Sequence, residues 1–119
     1  MVDLEVLDRN LTAMATQTNT LGVALRPHAK THKCVEIARR QVTHGAIGLS
    51  VATIGEAEVF ADAGFDDLFV AYPLWVDAAR SRRVASLVER SRLRVGVDSA
   101  AAAAALGHVA GSERLEVLV

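Results

Sequence analysis

Residues 45–74 read GAIGLSVATIGEAEVFADAGFDDLFVAYPL. A short apolar run, Ala46 to Ser50, is followed by Ala57, Val59, Phe60 and Ala63 at helical spacing, then by a second short run, Asp67 to Ala71. Gly45 and Gly64 each sit just past a helical pattern, where a residue in the left-handed conformation commonly ends the helix. The stretch spells strand, crossover helix, strand. A connection of that kind returns the chain to the same edge of the sheet, so the two strands run parallel.

The same unit recurs on both sides. Val23 to Arg26, Leu93 to Val97 and Leu115 to Val119 are further strand-like runs, and Val35, Ile37, Ala38 and Val42 mark another helix. Strand starts at 23, 46, 67, 93 and 115 give one β-plus-α unit about every 23 residues with short connections. Five near-continuous apolar strands predict an α/β fold with a parallel sheet covered on both faces. Two architectures fit: an open doubly wound sheet, or part of an eight-stranded (β/α) barrel of TIM type. The turn after the first strand, PHAKTHK, lacks the glycines that cradle a dinucleotide phosphate, which removes the best support for the first. Asp3 to Thr18 reads as an amphipathic helix with Leu4, Leu7, Leu11 and Met14 on one stripe.

Composition sets outer limits. The chain has 119 residues, 51% of them hydrophobic, and a formal net charge of −1, which describes one folded domain. Near-zero charge gives no reason to expect a nucleic acid or an anionic membrane as partner. No apolar run reaches the roughly 20 residues of a membrane-spanning helix. A single cysteine, Cys34, and no secretory signal make the cytoplasm the expected compartment.

Both architectures place active sites at the C-terminal ends of the strands. There stand His28, Lys30 and His32; Ser50, Thr53 and Glu56; Tyr72 and Pro73; Asp98 and Ser99. If the first strand runs through Pro27 to Lys30, alternation puts Arg26, His28 and Lys30 on one face. Partial desolvation among other cations would then lower the lysine pKa and favour the neutral amine that attacks a carbonyl. Other residues have plainer readings. His28 and His32 have a zinc-compatible spacing only on a continuous helix, which Pro27 argues against. Arg26, Lys30, Lys33, Arg39 and Arg40 could form a phosphate or RNA patch, but five aromatic residues and a neutral balance argue against it. Thr53 to Glu56 has capping-box spacing, and Ser99 with Asp98 suits the start of an alanine-rich helix. Cys34 reads as a small buried hydrophobe, and Arg80, Arg82, Arg83, Arg90, Arg92 and Arg94 as a solvated helix face and strand start.

Two segments, LRPHAKTHKCVEIARRQ and GAIGLSVATIGEAEVFADAGFDDLFVAYPL, together resemble the N-terminal part of the D-threonine aldolase and D-serine dehydratase group. These are pyridoxal-phosphate enzymes of the alanine-racemase-like fold. The resemblance implies a barrel in which Lys30 links to pyridoxal 5′-phosphate as a Schiff base. His28 and Arg26 would stand beside that cofactor, and Tyr72 would line its pocket or serve packing. The substrate would be a small D-amino acid, cleaved by retro-aldol reaction or dehydrated, with the cofactor ring as electron sink. A divalent metal on the β-hydroxyl and a homodimer are further implications of the resemblance.

This chain departs from the group in stopping at Val119, before the remaining barrel strands, the phosphate cup and the β domain with the metal ligands. It reads as residues 1–119 of a truncated barrel domain, with metal ligands absent and edges exposed at its end strands. The alternative is a non-catalytic pyridoxal-phosphate binder or carrier of the same fold. Assayed alone with D-threonine or D-serine, the 119-residue chain is expected to show little or no turnover, and robust turnover would contradict the truncated reading.

Overall fold

The computed structural model describes residues 1–109 and 115–119. Helix α1 spans Leu4–Leu21 and α2 Val35–Thr43, followed by β1 (Leu49–Val51), α3 (Ile54–Asp62), β2 (Asp67–Pro73), α4 (Ala78–Arg90), β3 (Arg92–Gly96), α5 (Ala100–Gly107) and β4 (Leu115–Leu118). The sheet is parallel throughout, in the order β1-β2-β3-β4. This is the α/β class and the βα rhythm expected of residues 45–74. Side chains cap four of the helices: Asp3 accepts from Glu5 N and Val6 N, Thr53 from Glu56 N, Asp77 from Ala79 N and Arg80 N, and Ser99 from Ala102 N. Gly45 and Gly64 adopt φ of 100° and 89°, the left-handed backbone read for them.

One expected strand forms differently. Val23 to Arg26 is extended but not a ladder strand, so the described sheet has four strands rather than five. The segment still lies along β1: Ile47 N donates to Leu25 O at 2.9 Å, Ser50 N donates to Pro27 O at 2.8 Å, and His28 bridges Ser50 in parallel. Pro27 has no N–H to return, so the pairing is one-sided and stops short of a regular ladder. After the bridge the chain turns at once into a 3-10 turn, Ala29–Thr31, which ends the strand alternation assumed for Lys30.

The core lies on one side of the sheet. Leu49, Val51, Leu68, Val70, Leu93 and Val95 are buried against Ile54, Ala57 and Phe60 of α3, Val84, Leu87 and Val88 of α4, and Leu106 of α5. Each of the Val, Leu, Ile and Phe side chains contributes about 1.5–3 kcal/mol of burial. The helices therefore cover one face, where the apolar strands led us to expect two. Alternation sends Ser50, Asp67, Phe69, Arg94 and Glu116 to the other face, which no helix covers among the described residues. The stripe of α1 is also less packed than expected: the helix buries no residue, Leu4 and Met14 are exposed, and Arg40 of α2 holds it through Asp8 at 2.8 Å. No helix among the described residues is long and apolar enough to cross a membrane.

The uncovered face is organised by charge. Asp67, at the start of β2, pairs with Arg26 at 2.7 Å and with Arg94 of β3, and Arg94 pairs in turn with Glu116 of β4 at 2.7 Å. Arg94 is only 18% exposed, so it is not the solvated strand-start residue read from sequence. The arginines of α4 do lie on a solvent face, with Arg83 on Glu58 and Arg90 on Asp62 across to α3. Gly48 makes room for Arg26, because a Cβ there would strike the guanidinium and the Asp67 carbonyl.

Burial alone would raise the Asp67 carboxyl, but the hydrogen bond and charge of Arg26, joined by Arg94, outweigh it and hold the pKa below 3.8. With the folded pKa below the unfolded one, the stabilisation is complete above the unfolded value and lost as pH falls through the folded one. Asp67→Asn is expected to cost about 1–3 kcal/mol of unfolding free energy at pH 7 and clearly less at an acid pH below 3.8. Chemical denaturation at the two pH values checks this, and an equal loss at both would assign the effect to packing.

Candidate active site

The extended segment from Leu25 delivers His28 and Lys30 to the C-terminal end of β1, where the connection into α3 begins. His28 caps the 3-10 turn, with Nδ1 accepting the Lys30 backbone N–H at 3.3 Å. An imidazole that accepts at Nδ1 carries its proton on Nε2 when neutral. Burial first, and the Lys30 charge second, lower the His28 pKa from 6.5, against an opposing pull from Glu56 and the Ser50 backbone. The ring is therefore neutral at pH 7.

The chain has two lysines, and the structure treats them differently. Lys30 is exposed, and its amine has no hydrogen bond or ion pair among the described residues. It does not share a desolvated strand face with Arg26, because the 3-10 turn has replaced the strand. Lys33 has a left-handed backbone, φ 48°, which costs an L residue about 1–2 kcal/mol. Both its ends are tied: its N–H donates to Ala29 O at 2.9 Å and its Nζ meets Glu56 Oε1 at 3.1 Å.

Glu56 is the residue that sequence reasoning placed only in part. Thr53 caps α3 as the spacing suggested, but Glu56 reaches one residue further back than a capping box, accepting from Ala52 N at 2.8 Å. Its other oxygen takes Lys33, 23 positions earlier in the chain, a partnership no local spacing signals. Burial raises the Glu56 carboxyl, but the Ala52 N–H, Lys33 and the nearby His28 together bring its pKa below 4.5.

The remaining candidates fall around this centre. Arg26 is turned to Asp67 at the opposite end of the sheet. Tyr72, near the end of β2, is exposed and lines a cleft of about 390 Å³ with Thr53, Gly55, Val70, Trp75 and Arg83. Ser50 is buried inside β1, and Ser99 rather than Asp98 caps α5. His32 Nε2 lies 3.3 Å from Gln41 Oε1, and the 3-10 turn between His28 and His32 breaks the helix a zinc pair would need. No group of three or more His, Cys, Asp or Glu side chains among the described residues is placed to hold a metal ion. Cys34 is partly buried, with Sγ donating to Glu36 at 3.1 Å, rather than a core residue.

The family described as "Alanine racemase, N-terminal domain" matches residues 2–119. A D-threo-3-hydroxyaspartate dehydratase from Delftia sp. is 40% identical over 109 residues, covering 89% of this chain and 28% of that protein. A D-threonine aldolase from Arthrobacter sp. is 38% identical over 100 residues, covering 84% of this chain and 26% of that protein. The crystal structure of a D-threonine aldolase from Filomicrobium marinum superposes with a TM-score of 0.88 at 37% identity, over 92% of this chain and 29% of the other. The chain thus spans about a quarter to a third of the length of these relatives.

The His28 ring is expected to titrate below 6.5, measurable from its Cε1 proton by NMR against pH. Because folding lowers this pKa, the linked stability is present near neutrality and is lost as pH falls from 6.5 through the folded value. His28→Gln, which keeps an acceptor for the Lys30 N–H, is expected to abolish that acid-side loss.

Proposed function

Since the chain belongs to the alanine racemase N-terminal domain family, we propose that it is the cofactor-anchoring part of a pyridoxal-phosphate lyase acting on D-amino acids with a β-hydroxyl group. One observation carries the assignment of Lys30: it is the lysine whose amine stands exposed and unpaired among the described residues at the C-terminal end of the sheet, while Lys33 is held by Glu56. The residues present fit the aldehyde of the cofactor, because an accessible primary amine is the nucleophile that carbonyl capture requires. They do not supply a metal site among the described residues.

In this reading Lys30 holds the cofactor through its Nζ. His28 fixes the Lys30 backbone through Nδ1 and keeps a proton on Nε2, so it adds no positive charge beside the amine at neutral pH. The Tyr72 cleft, at the same end of the sheet, is the surface the substrate or cofactor ring meets next. When bound, pyridoxal phosphate supplies an electron sink for the negative charge that builds on the substrate as a bond at Cα breaks. Two outcomes fit a β-hydroxy substrate. Cleavage of the Cα–Cβ bond yields glycine and an aldehyde, and loss of the α-proton and the hydroxyl yields, after hydrolysis, an oxo acid and ammonia. The relatives named a D-threonine aldolase and a hydroxyaspartate dehydratase support this pair of reactions. Residues 1–119 then form the first part of a barrel domain, a cytoplasmic homodimer in the complete enzyme.

Incubation with pyridoxal phosphate, borohydride reduction and peptide mass spectrometry test the assignment. Label is expected at Lys30 in clear excess over Lys33 and the N-terminal amine. Label spread evenly over the three amines would remove Lys30 from the proposed role.

A further inference from the structure

A 3-10 turn has three residues per revolution, so side chains three apart eclipse one another. Lys30 lies within the turn Ala29–Thr31, and Lys33, three residues after Lys30, stands just past its end. Left to that geometry, both ammonium groups would project to the same side, repel each other and offer an aldehyde two equivalent amines. The structure separates them: the left-handed backbone redirects Lys33, and Glu56 takes its Nζ at 3.1 Å. The Glu56 side chain is only 13% exposed and is fixed from behind by the Ala52 N–H at 2.8 Å, so the carboxylate is pre-set at the start of α3 before Lys33 reaches it. No other acidic group pairs with either lysine among the described residues.

We propose that Glu56 is a positioning residue that draws Lys33 away from the cofactor amine, locks the turn carrying Lys30 to the N-terminus of α3, and so makes Lys30 the sole reactive lysine. The inference rests on the role given to Lys30 above. The selection between two lysines three residues apart is then made by a carboxylate on the following βα unit. The device is subtractive: Glu56 acts on the competing amine and does not touch the cofactor.

The test is the ratio of Lys30 to Lys33 labelling by pyridoxal phosphate and borohydride, measured by peptide mass spectrometry in the 119-residue chain and three variants. In Glu56→Gln the amide still accepts from Ala52 N, but the charge that holds Lys33 is gone. The ratio is expected to fall about fivefold, the order set by one partly screened ion pair. Glu56→Asp keeps the charge and is expected to stay closer to the unsubstituted protein. Asp77→Ala removes the cap of α4 without touching Lys33 or Glu56. It is expected to lower the thermal midpoint and leave the ratio unchanged. Even labelling in the unsubstituted protein overturns the function proposed above. Selective labelling that Glu56→Gln leaves unchanged, or that Asp77→Ala disturbs equally, overturns the role of Glu56 alone.

Discussion

Two backbone hydrogen bonds, Ile47 to Leu25 and Ser50 to Pro27, hold the extended segment before the 3-10 turn against β1. Everything that follows in the candidate site depends on them. They place His28 opposite Ser50 at the end of the strand, and they leave Ala29 fully buried as the pivot from which the turn departs. Pro27 shapes the attachment by what it lacks. With no N–H to donate, the segment can accept from β1 but cannot run on as a full strand, so the chain leaves the sheet where Lys30 must stand clear of it.

Charge completes the attachment at both ends. Arg26 fastens the lower end of the segment to Asp67 of β2, in the space Gly48 leaves by having no side chain. Glu56 fastens the upper end through Lys33. A stretch of eight residues, from Arg26 to Lys33, is therefore pinned by an ion pair at each extremity and by the sheet in between. Both carboxylates are less than one-fifth exposed, where such pairs are screened less than on an open surface.

The helices and the central strands were legible because their signals are local. Apolar spacing, Thr53 and Ser99 at helix starts, and Gly45 and Gly64 at helix ends all act within a few residues. Lys30 and His28 were legible as chemistry from the density of basic groups around Pro27. What escaped was set by partners distant in sequence. Arg26 looked like a neighbour of Lys30, yet its acid is 41 residues away. Arg94 looked solvated because alternation alone does not say that the strands on either side carry Asp67 and Glu116. The 3-10 turn escaped for a different reason: extended and turned backbones after a proline are both open to the chain, and the choice falls to the burial of Ala29 and the N–H of Lys30 on His28.

The strand order carries a consequence for how the molecule assembles. Leu49 pairs with Leu68, Leu68 with Leu93, and Leu93 with Leu115, so every ladder joins a strand to the next one in the chain. Each closure therefore requires only one intervening helix to be in place. A nascent chain emerging from the ribosome can therefore complete each βα unit on the one before it. The segment bearing Lys30 docks as soon as β1 appears, and Glu56 follows a few residues later.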